Sequence, residues 1–350
     1  LRTVLDIQNR QREVIDARGN SAMRYRYEIT GERIAEDGPD SGVRRLFPDA
    51  QGRSILGWDS RNHRTRTEYD PLDRPVRGWL SVDGGAEVLT TFSDFGDGPA
   101  APADAVARNL RTRLFRRFDQ AGLVEHDRFD FNGNLTRMRR RLLSATTGIN
   151  DYATPAPETL LEAETFVSET LYDAMSRPIE IRTPASEGMI ASTITPAYNQ
   201  AQALERIDLT VRGGASQAQI TNIDYDAHGR RRAIDYANGT RSEHSYDPVS
   251  FRLTRVLTLR AGTPLQDLRY TYDPVGNVTG IRDAAQADVY FNNSVVNADS
   301  RFRYNALYRL TFASGREHIG QNQPTSPEDP TRRGHLHPGD GGAMRRYEQA

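Results

Sequence analysis

Cysteine is absent from the 350 residues. That removes disulfides, thiolate nucleophiles and cysteine-ligated metals, and leaves the redox compartment undecided. Lysine is absent as well: all 46 basic residues are arginine, set against 47 acidic residues for a formal net charge of −1. A GxxxxGK[ST] phosphate loop therefore cannot occur. Balanced, interspersed charge argues against a dedicated nucleic-acid surface, which shows a basic excess on one face. No run approaches the roughly 18–20 apolar residues that span a bilayer. The opening LRTVLDIQNRQREV has neither an initiating Met nor an apolar signal core; it starts inside a strand–turn pattern and reads as part of a longer polypeptide. Apolar residues are also scarce, at 37% against roughly 45–50% in an average globular chain, and the mean hydropathy is −0.69. A thin layered or wrapped sheet fits that balance better than a large globule.

What is present is a repeat. An aromatic residue and Asp are followed by variable residues, then Gly, Asn or Arg, then a short apolar stretch. Clear copies are Tyr272-Asp273-Pro-Val-Gly276-Asn277, Phe129-Asp130-Phe-Asn-Gly133-Asn134 and Tyr225-Asp226-Ala-His-Gly229-Arg230. Looser ones begin at Tyr69-Asp70, Tyr172-Asp173, Tyr246-Asp247 and Tyr304-Asn305, and Ile15-Asp16, Tyr27-Glu28 with Gly31, Phe47-Pro48 and Trp58-Asp59 keep the outline. The spacing is uneven: 11 residues separate Phe47 from Trp58 and Trp58 from Tyr69, but 26 separate Tyr246 from Tyr272 and 32 separate Tyr272 from Tyr304. Hairpins with arms of variable length explain this better than a solenoid with one fixed rung.

Each unit has a physical reading. Tyr25 and Tyr27, Tyr270 and Tyr272, and Phe302 and Tyr304 lie two apart, so one strand face is aromatic. Asp just past the strand accepts backbone N–H bonds and opens an Asx-type turn. Pro71, Pro248 and Pro274 suit the next turn position with their fixed φ. The later Gly, or its Asn/Asp substitute, supplies a left-handed residue to close the hairpin. Tyr27, Gly31, Tyr69, Asp70, Phe129, Asp130, Gly133, Tyr172, Asp173, Tyr225, Asp226, Gly229, Tyr246, Asp247, Tyr272, Asp273, Gly276 and Tyr304 are thus expected to be structural turn and aromatic residues.

The pattern divides the chain into an array over 1–95, an interrupted array over 96–160, a second array over 161–320 and a Pro/Gly-rich loop or disordered segment over 321–350. Pro102 followed by Ala, Leu and Arg predicts a short helix near 102–110. Residues 144–170 form a second interruption, with Thr159–Glu164 a helical turn or a polar excursion on the outside. Met344–Gln349 resembles the opening of another strand.

Sites of chemistry are hard to find. His335 and His337 flank a loop with Asp340, but no third ligand of convincing spacing joins them. His228 and His244 read as turn and sheet-packing residues. The Asp residues invite a general acid–base reading, yet they recur with the corners, and the turn explains them. The arginine runs 139–141, 230–232 and 345–346 have acidic neighbours and read as solvated faces. Neither a GxSxG elbow nor an HExxH helix is present. No catalytic residue, metal or cofactor is expected.

The Y-D-x-x-G-[N/R] corners, repeated irregularly between aromatic-alternating strands, resemble those of Rhs/YD-repeat proteins. Ser300–Leu310, Ala313–Gly320 and Asn109–Gly122 are similar to segments of the B/C components of bacterial insecticidal toxin complexes. The resemblance covers residues 1 to about 320. It implies an all-β fold: irregular YD-repeat hairpins in a continuous curved sheet, part of a spiral hollow shell. It also implies a non-catalytic structural role in a secreted or exported toxin protein. The partners would be the remainder of the shell, an enclosed toxin segment and a pore-forming toxin subunit. Family members release their cargo by aspartic-type self-cleavage at a DPxGL core; here Asp273-Pro-Val-Gly-Asn277 has Asn in place of Leu and repeats a plain corner, so no cleaving residue carries over. The competing reading is a surface-exposed wall that binds carbohydrate or protein through outward Tyr and Arg. The first and last arms are expected to present unpaired strand edges and to promote association.

Overall fold

The computed structural model describes residues 1–145, 147–319 and 342–349. These hold 27 strands and one 3-10 turn, Pro157–Leu160, so the all-β expectation stands. The chain divides into two compact units, Leu1–Thr193 with Val211–Gly214, and Ile194–Thr210 with Ala215–Ala350. The division falls inside the stretch read from sequence as the second array.

Within each unit, successive strands pair antiparallel in chain order, except that Val278–Asp283 pairs with Asp299–Tyr304 past a separate hairpin of Val289–Phe291 and Ser294–Val296. In the first, His63–Tyr69 pairs with Pro75–Val82, which pairs with Val88–Phe95. In the second, Thr240–Tyr246 pairs with Leu253–Arg260, which pairs with Thr263–Tyr272. Because direction reverses at every strand, alternate connections lie on the same edge of a unit. The corners at Asp6, Glu28, Asp49, Asp70, Asp130 and Asp173 share one edge of the first unit, while Asp16 and Asp59 lie on the other. Those at Asp226, Asp247, Asp273 and Asn305 share one edge of the second. The opposite edge varies: Ala261-Gly262, with φ of 48° and 80°, is a two-residue turn of the type I′ kind that matches strand twist. Variable length on that edge produces the uneven spacing of the repeat.

Most of the apolar core belongs to one patch of the first unit. Phe115 and Phe118 are three apart on the strand Leu114–Asp119 and so face opposite sides of the sheet. One insertion covers each. On Phe118, which is fully buried, pack Leu89, Leu123, Leu143, Tyr152 and Leu161. On Phe115 pack Ala105 and Leu110. The interruption after residue 143 packs inward at Tyr152, which donates from its hydroxyl to the Asp119 carbonyl (2.6 Å) and from its backbone N–H to the Leu89 carbonyl (2.9 Å). Its ring lies 5.2 Å from that of Phe118, and burial pushes its phenol up to about 12. The 3-10 turn Pro157–Leu160 overlaps the helical turn expected from Thr159, while residues 162–164 are exposed.

The helix expected near 102–110 is absent. The segment makes irregular turns: Ala105 N–H bonds to Pro102, Arg108 to Asp104 and Leu110 to Ala105, and Asn109 closes it in the left-handed region at φ 56°. So short a segment cannot offset the cost of helix nucleation, whereas burying Ala105 and Leu110 favours the compact turn. Gly96 lies against it so closely that a Cβ would come within 2.1 Å of the Leu110 carbonyl oxygen. Of the segment 321–350, residues 321–341 and 350 lie outside the described residues, as do His335 and His337. Met344–Gln349 is a strand paired with Leu310–His318 over six positions, not a loop; the Arg345–Glu317 ion pair (2.8 Å) and the backbone ladder hold it there.

Candidate functional site

The corner is the repeating chemical unit. At Asp226 the backbone N–H donates to the Arg230 carbonyl, and the Gly229 N–H returns a bond to the Asp226 carbonyl. One carboxylate oxygen accepts the N–H groups of His228 (2.9 Å) and Arg230 (3.0 Å), and the other accepts Arg230 Nε (2.7 Å). Asp49, Asp70 and Asp173 repeat this arrangement with Arg53, Arg74 and Arg177. Asn134 and Asn277 replace the arginine at Asp130 and Asp273, and His63 replaces it at Asp59. The residue three past the corner Asp or Glu is left-handed whether it is glycine, as at Gly31, Gly133, Gly229 and Gly276, or Asp73 and Ser176. This is the three-residue hairpin loop with a terminal bulge, and the ladder slips by one residue beside Tyr27, Tyr69, Tyr172, Tyr225, Tyr246, Tyr272 and Tyr304. Asp247 has one extra residue, and Phe251 takes the left-handed place at φ 60°.

Corners on one edge are linked to one another. Six tyrosines that precede a corner donate the hydroxyl to the first strand residue after the preceding corner on that edge. In the first unit Tyr27 reaches the Gln11 carbonyl (2.9 Å) and Tyr69 that of Ser54 (3.1 Å). In the second, Tyr225 reaches Leu204, Tyr246 reaches Arg231, Tyr272 reaches Leu253 and Tyr304 reaches Val278, at 2.6–3.0 Å. The corner arginine lies over the next aromatic ring: Arg10 over Tyr27 at 5.0 Å, Arg53 over Tyr69 at 4.7 Å and Arg230 over Tyr246 at 4.2 Å; Arg113, which has no Asp partner, lies likewise over Phe129 at 4.8 Å. Arg10, Arg53 and Arg230 thus each join their own Asp to the next corner's ring, combining a charge-assisted bond with a cation–π contact. Sequence reading found the aromatic and the Asp but missed these links; the recurring Arg four residues after Asp was the available signal.

The electrostatics oppose acid catalysis at the corners. Hydrogen bonding from the arginine side chain holds the carboxyls of Asp49, Asp173 and Asp226 below the usual range. The Asn277 amide does so for Asp273. These groups stay ionised with their lone pairs engaged, the opposite of a general acid whose pKa is raised. Buried Asp127 is held by Arg108 (2.7 Å), Arg139 (3.3 Å) and Arg137 (3.4 Å). Asp267 is bound by Arg255 (2.5 Å) and Arg269 (3.0 Å), and hydrogen bonds from Arg255 bring it down to about 2.

Among the described residues no group of three His, Asp or Glu side chains could hold a metal, and no helix is long and apolar enough to cross a membrane. His228 lies 4.8 Å from the Phe251 ring, and burial keeps His244 less basic than usual. A cleft of about 410 Å³ lies between the sheet residues Arg77, Trp79, Phe92 and Arg116 and the covering segment 152–158. Arg116 is committed to Asp94 (2.5 Å) and Glu158 (2.9 Å), and the cleft's lining holds no nucleophile paired with a base.

Antiparallel hairpins with Tyr–Asp corners on a common edge agree with the resemblance to YD-repeat proteins. No family model matches the sequence. The chain is 30% identical over 337 residues to the toxin subunit YenC2 of Yersinia entomophaga, an alignment that covers 86% of this chain and 33% of the relative. Against toxin subunit YenC1 of the same organism it is 27% identical over 317 residues, covering 86% and 31%. It therefore spans about a third of the length of these relatives. Among solved structures it matches the TcdB2–TccC3–Cdc42 complex with a TM-score of 0.82 and 24% identity, over 99% of this chain and 17% of that one. The Photorhabdus luminescens Tc holotoxin pore gives 0.81 and 24%, over 99% and 16%. In sequence the chain is thus similar to part of these toxin subunits, and it shares the fold of a segment of the solved toxin complexes.

Proposed function

We propose that this chain is a non-catalytic wall segment of a hollow YD-repeat shell that encloses a toxic segment of a larger bacterial toxin protein. The observation that carries the reading is the linked row of corners. The recurrent Asp closes its own turn, and most of the recurrent Tyr and several corner Arg bond that turn to the next hairpin, as a wall requires and an active site does not. The likeness to toxin subunits supports the toxin context. On this reading the partners are the remaining sheet, the enclosed segment and a pore-forming toxin subunit, the protein is secreted or exported, and no cofactor takes part. Electron microscopy of the polypeptide that contains this chain, with protease added outside, tests it. The expected result is a hollow particle whose wall includes these strands and whose interior shields a segment from cleavage. A solid particle, or one with no shielded segment, overturns it.

A further inference from the structure

One face of the second unit collects arginine. Arg269, Thr271, Arg282 and Arg301 are exposed, whereas Tyr270, Ile281 and Phe302, which point the other way, are half-buried. Register sets Arg255, Arg269 and Arg282 directly opposite one another on three adjacent strands, Leu253–Arg260, Thr263–Tyr272 and Val278–Asp283. Like charges placed directly opposite repel, so such a ladder calls for anions. Asp267 supplies part of the need, with both oxygens committed to Arg255 and Arg269. Arg282 has only Asp299, which stays 3.9 Å from its Nε. Arg301 has no ion-pair or hydrogen-bond partner among the described residues. Elsewhere the chain serves its clustered arginines itself. Arg64 and Arg66 converge on Glu87, and Arg316 and Arg346, directly opposite each other, reach Gln286 and Asn297.

These arginines border a recess. Gly280 lies between Thr271 and Arg301 in its row, and its missing side chain leaves backbone as the floor of a shallow pocket of about 320 Å³ rimmed by Arg269, Thr271, Arg282 and Arg301. Glycine beside a cross-strand Thr recurs at Gly57 with Thr65 and at Gly78 with Thr91. There the third residue of the row is Leu46 or Thr67, so the recess at Gly280 differs in being ringed by cations. We propose that it binds a dianionic oxyanion of the phosphate or sulfate type, with Arg282 and Arg301 as principal donors and Arg269 and the Thr271 hydroxyl at the rim. The charge matches: four arginines meet two aspartates on this stretch of the face, which leaves two positive charges unmet. Guanidinium forks suit such oxygens. The Thr271 hydroxyl is held loosely, 3.2 Å from Thr279 Oγ1 and 3.4 Å from the Gly280 carbonyl, and is free to turn toward a ligand. The recess is open to solvent, so salt screens it and the Kd is on the order of 1 mM. The inference concerns the chain's own exposed side chains and does not rest on the shell reading.

Amide NMR of the whole deuterated chain, titrated with inorganic phosphate near neutral pH at constant ionic strength, tests it. Saturable shifts should be confined to the amides around Thr271, Gly280, Arg282 and Arg301; sulfate should reproduce them and chloride should not. Combined Arg282→Gln and Arg301→Gln should weaken phosphate binding at least ~10-fold. Arg117→Gln, which removes an exposed arginine of the first unit, should leave it unchanged. The proposal is overturned by shifts that fail to saturate, by equal shifts beside arginines across the chain, or by a double variant that binds as the parent does. Saturation and its location are read on the unaltered chain, so they decide the matter even if the double variant folds poorly.

Discussion

Two regions of the first unit share one hairpin plan but are held together differently. From Arg2–Leu5 to Ser54–Trp58 the strands are bare, and the first is exposed at all four positions. None of the buried apolar residues comes from residues 1–88, whereas nine fall between Leu89 and Leu161. The bare region is held by its backbone ladder, Asp–Arg corners and Tyr hydroxyl links. The covered patch adds an apolar core on both faces of one strand, supplied by two insertions. Corner chemistry can specify register without a core, because each corner sets the phase of the strands it joins. Only burial adds a large local free energy, so opening should be easiest where the sheet is bare.

The largest effect should come from Phe118→Ala. Emptying that site should cost about 3–5 kcal/mol and bring hydrogen-exchange protection of the covered patch down to that of residues 2–58. If the patch keeps its excess protection, the core is not its source. Acid should act in the other direction and weaken the bare region first. The corner carboxyls have folded-state values below the unfolded value of about 3.9. Their stabilisation is therefore complete above that pH and is lost as pH falls through the lowered folded values. Urea midpoints should drop between pH 5 and pH 2.5, with amides near Asp6, Asp49 and Asp70 exposed before those near Phe118; equal midpoints at the two pH values would refute this.

Gly276→Val tests a corner in the second unit. Gly276 sits at φ +120°, where a Cβ would also meet Arg252 Nη2 at 2.9 Å. Strain of about 1–2 kcal/mol is expected, and unchanged denaturant stability would show that the corner tolerates a side chain. The smallest effect should be that of Tyr69→Phe. It removes only the hydroxyl link to Ser54 and should cost about 0.5–1.5 kcal/mol, with faster exchange limited to the flanking hairpins. A spread of that effect into the covered patch would mean that the two regions open together.

Strand, turn and corner were legible because they follow from local rules: alternation two residues apart, an Asp that accepts its own turn's N–H groups, and a left-handed residue three places on. The strand Met344–Gln349 was legible in the same way, since its pattern continues the arms. The turn at 102–110 was not. Ala, Leu and Arg favour helix, but the pull of Leu110 and Ala105 into a core beside Phe115 exists only once the sheet has formed. The covering role of 144–161 was hidden for the same reason, because Tyr152 looks like any loop tyrosine until Phe118 and the Asp119 carbonyl are placed beneath it.

By itself, then, the sequence determined an all-β chain of hairpins joined at Tyr–Asp corners, since every term in that choice acts within about five residues. Tertiary structure alone decided which corners share an edge, which aromatic ring each arginine covers, and where the sheet gains a core. Those outcomes depend on strands that are neighbours in space but some twenty residues apart in the chain, as Arg53 of one corner and Asp73 of the next are. Pairing at that distance is set by the sum of register, reversal and burial across several hairpins, and no single stretch of residues contains it.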